Sequence, residues 1–336
     1  MIHPDPRPGQ DSQAPAPDPR AGGEAPAASR LSVVIVLYNS ADVIADCLAT
    51  VASGAEVIVI DNASTDDGAE LARAARPDAR VIRSPRNLGF GAGCNLGWKV
   101  ATRPYVAFVN PDVRLRADAL ELLLRRLGGE KHSVVGPALL DRSGAARPCK
   151  RRPSALLDFC GLLPAAVRWG PAGIDGKLDR AAPVHRDGGA VASVEGACFL
   201  ISTADLEAIN GFDEDLFLYY EEESIALRLA RLGGGAIYEP GAVAEHVGEA
   251  STSQVAELAT RHLHRSRIIF YRKRDGVLRG ELTALVLVFG VLLSAPSAAA
   301  NSVLRRAGHT MLGQRWHVLA GLLAGMTAAL RSDLSY

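Results

Sequence analysis

The sequence predicts an α/β fold: a mostly parallel central sheet flanked by helices, followed by a C-terminal helical extension. Three observations predict it. Apolar runs rich in β-branched residues recur at 31–37, 56–60, 80–83 and 105–109, separated by helical stretches. Polar clusters follow these runs. From about Thr252 the pattern is helical to the end, and Leu282 to Ala300 carries no charge.

Leu31-Ser32-Val33-Val34-Ile35-Val36-Leu37 reads as a strand buried on both faces of a parallel sheet. Ser40 is placed to cap a helix running to about Val51. Glu56 to Ile60 is a second buried strand, with a helix from about Asp67 to Arg76. Arg80 to Arg83 is a short third strand. Beyond the glycine-rich stretch ending at Asn95, a helix runs toward Val100. Tyr105 to Val109 is the fourth strand. This alternation predicts right-handed crossovers between parallel strands. A helix at 117–127 precedes a strand near Ser133–Pro137. Residues 141–183, rich in Arg, Pro and Gly, read as a loop excursion over the active-site side. Val191 to Ile201 returns to strand character. A helix from Thr203 stops at Asn210-Gly211, and another begins near Glu221.

The 336 residues carry 37 Lys plus Arg and 37 Asp plus Glu, which argues against general nucleic-acid binding. At 48% hydrophobic content the chain is long enough for one large domain with appended helices. Cys47, Cys94, Cys149, Cys160 and Cys198 form no CxxC pair and have no His at zinc-ligand spacing. They fit buried, reduced thiols in the cytoplasm. Residues 1–30 are rich in Pro, Ala, Gly and Asp and show no apolar signal-peptide core. They read as a disordered tail. Residues 31–275 would form the main domain and 276–336 an apolar helical extension.

Four polar segments follow strands or open helices: Asp61-Asn62-Ala63-Ser64, Arg86-Asn87 with the glycines after it, Asn110-Pro111-Asp112, and Glu221-Glu222. In an open α/β sheet the ligand crevice lies outside the carboxyl ends of the strands. Convergence of these segments suits a nucleotide-sugar and its metal. Departure of a diphosphate is helped by a divalent cation with oxygen ligands, which suits Asp112. An acceptor hydroxyl needs a carboxylate base, for which Glu221 and Glu222 are the candidates. Asp61 suits the edge of a nucleobase, and His246 is a further metal ligand. Each also has a plainer reading: Asp61 and Asp112 as helix or turn caps, the glutamates as acids favoured at a helix N-terminus, and His246 as a packed histidine. The glycines at 89, 91 and 93 read GxGxG rather than GxGxxG and follow the third strand, so a dinucleotide fingerprint is absent.

Taken together, the segments resemble the family-2 glycosyltransferases with a GT-A fold, and their bacterial rhamnosyltransferase-like branch in particular. The matching stretches are Val33 through Tyr38-Asn39, Asp61 through Asp66, Asn87 through Asn95, Asn110-Pro111-Asp112, and Gly211-Phe212-Asp213-Glu214 through Glu221-Glu222. The resemblance implies nucleotide-sugar contacts from Tyr38, Asn39, Asp61, Asn62, Ser64, Asn87, Gly89, Asn95 and Asn110, with Asp61 at the pyrimidine. It implies Mg²⁺ or Mn²⁺ at Asp112, with His246 near the metal or diphosphate. Glu222 falls at the position of the catalytic base. Glu223-Ser224 departs from the family's usual apolar residue and Asp, so Glu221 stays a rival for that position.

The implied reaction is inverting transfer of a sugar to a hydroxyl of a glycan or polyprenyl-linked acceptor in cell-envelope polysaccharide synthesis. Rhamnose from dTDP-rhamnose is the first choice, and a galactofuranosyl or other hexosyl donor the second. A non-catalytic nucleotide-sugar-binding scaffold is the rival reading from another class. The basic residues Arg261, Arg265, Arg267, Arg272, Lys273 and Arg274 beside apolar helices suggest peripheral attachment to the anionic inner face of the cell membrane. The apolar run at 282–300 reads first as part of an interfacial helical hairpin. A buried helical extension and a true span are the alternatives.

Overall fold

The computed structural model describes residues 26–150, 152–162, 178, 181–247, 256–304 and 308–328. Strand β1 (Leu31–Leu37) is buried throughout. It is followed by α1 (Ile44–Ala49), β2 (Glu56–Asp61), α2 (Gly68–Ala75), β3 (Arg80–Arg83), α3 (Phe90–Trp98) and β4 (Tyr105–Val109). The sequence placed these elements in this order. Two details differ. Ser40 does not cap α1 with its side chain, because its hydroxyl donates to the Tyr38 carbonyl. Its backbone carbonyl instead accepts from Val43 and Ile44. Helix α3 starts inside the glycine run, at Phe90.

The chain continues through β5 (Val113–Leu115), α4 (Ala119–Leu127), β6 (Ser133–Leu140), α5 (Ala155–Leu162), α6 (Val184–Asp187), β7 (Gly189–Val191), β8 (Cys198–Ser202), α7 (Thr203–Ala208), α8 (Glu221–Arg231) and β9 (Gly235–His246). The sequence reading had one strand over 191–201. The structure has β7 and β8 on either side of a break that contains Gly196. The sequence reading also had no strand at 235–246 and no helix at 155–162, where the structure has β9 and α5. Of the rest of the 141–183 excursion, residues 151, 163–177 and 179–180 lie outside the described residues.

Strand order is β3-β2-β1-β4-β8-β6-β9-β5, with β7 paired to β9. Strands β1, β2, β3, β4, β6 and β9 run one way, while β5, β7 and β8 oppose them. The sheet is therefore mixed, mostly parallel and flanked by helices, as expected. One face buries Val33, Ile35 and Leu37 against α1 and α4. The other buries Val34, Val36, Phe108 and Phe199 with Phe212, Ile225 and Leu229. The parallel half puts the ends of β1, β2, β3 and β4 on one edge of the sheet. The polar segments of interest follow there.

Of the expected tail, residues 27–30 are ordered. They form a 3-10 turn whose Ala27 and Ala28 pack on the core, with Arg30 5.2 Å over the Tyr105 ring. Residues 1–25 lie outside the described residues.

Three helices close the chain: α9 (Ala256–Asp275), α10 (Val277–Leu304) and α11 (Gly308–Ala328). Ile268 of α9 packs with Ala284, Leu287 and Val291 of α10 and with Val318 and Leu322 of α11. At least four of the six residues of the basic band of α9 have partners elsewhere in the protein. Arg265 donates to the Asp215 carbonyl, Arg267 to the Tyr220 hydroxyl, and Lys273 to Asp213 and Asp215. Buried Arg272 donates to the carbonyls of Gly325 and Met326 and pairs with Glu281. These cations are drawn inward because α9 lies between the loop at 213–220 and the α10–α11 pair. Among the described residues no helix is long and apolar enough to cross a membrane. The outer face of α10 nevertheless leaves Leu278, Leu282, Leu285, Phe289 and Leu292 exposed.

Candidate active site

The loops after β1, β2 and β3 are tied by a polar ring. Asn39, at φ 48°, donates its backbone N–H to Ser64 Oγ, while its side chain accepts from Thr65. Asparagine tolerates this left-handed conformation better than bulkier residues. Asp61 ends β2 fully buried, and its Oδ1 accepts from the Ser64 backbone N–H. Asp61 thus closes a turn rather than capping α2. Asn62 donates to Asn87 Oδ1 and to the Gly89 carbonyl, and its own Oδ1 accepts from Leu88 N–H. Asn87 also accepts from Gly89 N–H. Sequence reasoning singled out Asn39, Asp61, Asn62, Ser64, Asn87 and Gly89, and the structure gathers all six here. Tyr38 stands exposed beside them.

Arg83 was missed. Its Nε lies 3.0 Å from Asp61 Oδ2, yet that buried oxygen has no hydrogen-bond donor among the described residues. The signal was available in sequence, since Arg83 ends β3 beside Asp61 in the parallel register. Asn95 has a different occupation from the one expected. It is buried in α3, where its amide donates to Phe212 O and Glu214 Oε1 and accepts from Phe212 N–H and Trp98 Nε1. Asn95 ties α3 to the 212–214 loop.

Gly89 explains the approach of that loop. A Cβ there would sit 2.3 Å from the Phe217 carbonyl, and φ is +89°. Phe90 N–H donates to the same carbonyl. Beyond Phe217, Tyr219 and Tyr220 hold φ of 72° and 71°, a strained conformation for side chains of that size. Ser266 and Arg267 of α9 fix this stretch through Leu218 O and the Tyr220 hydroxyl.

Asn110 follows β4. Its N–H donates to Ala197 O and its carbonyl accepts from Val113 N–H. Asp112 then meets His246, because β5 pairs with the end of β9 in the register Val113 to His246. His246 Nε2 lies 3.2 Å from Asp112 Oδ1, both side chains are nearly buried, and His246 Nδ1 has no partner among the described residues. No described group of three or more His, Cys, Asp or Glu side chains is arranged to hold a metal. One carboxylate and one imidazole side by side still fit a divalent cation whose remaining ligands come from diphosphate and water. The donor set suits Mn²⁺ and, through the carboxylate, Mg²⁺.

Helix α8 opens with Glu221, Glu222 and Glu223. Glu221 is 3% exposed, its Cγ lies 3.5 Å from where a Cβ on Gly91 would sit, and its Oε1 is unpartnered. Burial, and then Glu222, push its carboxyl well above the usual range. Placement at a helix N-terminus does not offset this for Glu221. The helix dipole is worth about 0.3–1 kcal/mol, less than the cost of burying an unpaired charge. Glu223 is pushed up to about 7, by burial first and by Glu222 next. Glu222 lies against Gly196: a Cβ there would be 3.1 Å from its Oε1. Since Ala197 follows Gly196 and holds Asn110, the break before β8 links Glu222 to the Asp112 turn.

Lys150 was also missed. Its Nζ lies 2.5 Å from Glu222 Oε1 and 3.0 Å from Glu223 Oε1. Burial alone would lower its pKa, but Glu222, Glu223 and Glu195 outweigh that and hold the ammonium well above its ordinary value. The sequence hint was the triple acid itself, which cannot be buried without a cation.

Residues 32–209, more than half of the chain, match the family model for glycosyl transferase family 2. The chain is 28% identical over 208 residues to a low-salt glycan biosynthesis hexosyltransferase of Haloferax volcanii, covering 60% of this chain and 62% of that relative. It is 26% identical over 273 residues to the N-acetylglucosaminyl-diphospho-decaprenol L-rhamnosyltransferase of Mycobacterium tuberculosis, covering 73% of this chain and 84% of the relative. A mannosyltransferase of Pyrobaculum calidifontis, solved with GDP-Man and Mn²⁺, superposes with a TM-score of 0.54 at 17% identity. That match covers 88% of this chain and 87% of the other, and it shows a shared GT-A-like fold. The polar loops at the carboxyl edge of the parallel strands, the Asp112–His246 pair and the family match over 32–209 agree: this chain belongs to glycosyl transferase family 2.

Proposed function

We propose that the protein is an inverting, metal-dependent glycosyltransferase that moves a sugar from a nucleoside diphosphate to a hydroxyl of a glycan or polyprenyl-linked acceptor. The observation that carries this reading is the joining of two half-sites. Gly196-Ala197 contacts the Glu222 carboxylate on one side and Asn110, two residues before Asp112, on the other.

Asp61 Oδ2, buried and without a hydrogen-bond donor, suits the N3–H of a pyrimidine. Tyr38 lies beside this position. Asp112 and His246 would hold the divalent cation, which supplies positive charge against the leaving diphosphate. Glu222 accepts the proton of the acceptor hydroxyl. The hydroxyl oxygen bonds to the anomeric carbon as the bond from that carbon to the diphosphate oxygen breaks, and the diphosphate leaves with the electron pair. One displacement of this kind inverts the anomeric centre. Glu222 is preferred over Glu221 as base because Glu221 packs against α3 and burial raises its carboxyl pKa. Glu221 supports the fold of the α8 N-terminus instead.

The Mycobacterium relative favours a rhamnosyl donor, with dTDP-rhamnose first, in envelope polysaccharide synthesis. The exposed apolar face of α10 supports peripheral attachment at the inner membrane face. The test is donor hydrolysis across a panel of nucleotide sugars, with and without Mn²⁺. Mn²⁺-dependent turnover of one thymidine- or uridine-linked sugar is expected. Binding of a nucleotide sugar without turnover, even with lipid-linked acceptors, would point to a scaffold protein.

A further inference from the structure

The acidic start of α8 needs explaining. Glu221, Glu222 and Glu223 are three successive carboxyl groups, all largely buried, with Glu195 also close enough to act on the same lysine. Their cation comes from 72 residues away in sequence, on the segment that leaves β6. Its backbone is anchored. Cys149 N–H donates to His185 Nε2, and Cys149 O accepts from Leu178 N–H. The lysine is therefore delivered to the acids by a fixed stretch of chain rather than by a freely moving loop tip.

We propose that Lys150 is a positioning residue for the reaction: it grips Glu222 Oε1 and Glu223 Oε1 together, sets the Glu222 carboxylate against Gly196, and leaves Oε2 to the acceptor hydroxyl. This deepens the functional reading above and rests on it. The geometry explains the departure at Glu223. With one ammonium bridging two neighbouring carboxylates, the second acid fixes the lysine, and the lysine fixes the first. Gly196 completes the seat, since a Cβ would press within 3.3 Å of the Glu222 carboxyl carbon. Glu221 faces α3 and takes no part in the grip.

The test has one arm that needs no donor. In the free full-length chain labelled with ¹³C-glutamate, the Glu222 carboxyl carbon is assigned by its loss in Glu222→Gln and titrated. In Lys150→Met its midpoint should rise by about one pH unit or more. In Lys150→Arg it should stay near wild type. Should Lys150→Met fail to fold, the change is made in Glu223→Gln, and the double variant is titrated against Glu223→Gln alone, over which the midpoint should rise. An unmoved midpoint, or equal behaviour of the Met and Arg variants, overturns the proposal.

The second arm follows kcat/KM for dTDP-rhamnose hydrolysis against pH. Its acidic limb should move with the carboxyl midpoint and be restored by Lys150→Arg. A carboxyl that moves while the limb stays fixed would mean that Glu222 is not the base. That result overturns the functional reading and the role of Lys150 in the reaction, although the charge contact itself stands.

Discussion

His246 Nε2 lies 3.2 Å from Asp112 Oδ1, at the point where β5 and β9 end their antiparallel pairing. Two residues 134 positions apart are set face to face by one register. The buried, unpartnered Nδ1 of His246 shows that the ring is held by packing and by the Asp112 side. If Asp112 and His246 hold the metal, removing either side chain should abolish the rise in melting temperature given by Mn²⁺ with a nucleoside diphosphate. Turnover should fall at least about 100-fold, near 2.7 kcal/mol of barrier. Asp112→Ala or His246→Ala protein that keeps the Mn²⁺-dependent shift would remove these residues from the metal site.

The raised carboxyl of Glu223 makes stability depend on pH. Its folded value is about 7, against 4.5 for the ordinary group. In that interval the folded chain keeps a proton that the unfolded chain releases. The contribution is full below pH 4.5 and is lost as pH rises through 7. Glu223→Gln stays neutral at every pH and escapes this loss. At pH 8 the variant should be the more stable, by on the order of 2 kcal/mol or a few degrees in Tm. The gap should close at pH 5. Parallel melting curves for the two proteins from pH 5 to 8 would contradict the burial argument.

The proposed membrane attachment would use the exposed apolar face of α10, since several basic residues of α9 are paired within the protein. Leu282 and Phe289 lie on the exposed face two helical turns apart. Each contributes about 1.5–3 kcal/mol when buried in an apolar phase. Leu282→Asp and Phe289→Asp should each weaken co-sedimentation with anionic vesicles at least 10-fold while leaving the melting temperature close to wild type. Unchanged vesicle binding by the double variant would exclude this face.

The parallel half of the sheet was legible because strands buried on both faces leave continuous apolar runs, as at Val33–Leu37 and Val57–Ile60. Most of the residues after those strands were legible for the same reason: the strand ends are where polar groups can meet. Strand β9 was not. Pro240 and Gly241 interrupt its pattern, and its pairing with β6 shifts register between Pro137 and Ala138. The start of α3 was hidden by glycines that disfavour helix on their own. They are there for packing: a Cβ on Gly93 would come within 2.8 Å of Val36, and one on Gly97 within 2.3 Å of Val34. The resemblance implied a ligand contact at Asn95, yet the 212–214 loop takes up most of its hydrogen bonds. The triple acid at α8 signals a buried cation, but which one, and the inward-facing cations of α9, could not be read, since their partners lie on distant segments.

The central claim is that Glu222 removes the acceptor proton at a site built to hold a nucleotide sugar. Its most direct test compares Glu222→Gln with wild type for binding and turnover of the same donor in the presence of Mn²⁺. The amide preserves shape and removes the base, so donor binding should be retained while kcat falls about 10²- to 10⁴-fold. Glu221→Gln should retain most of the activity. A Glu222→Gln enzyme that turns over at the wild-type rate would contradict the account and return Glu222 to a structural role at the start of α8.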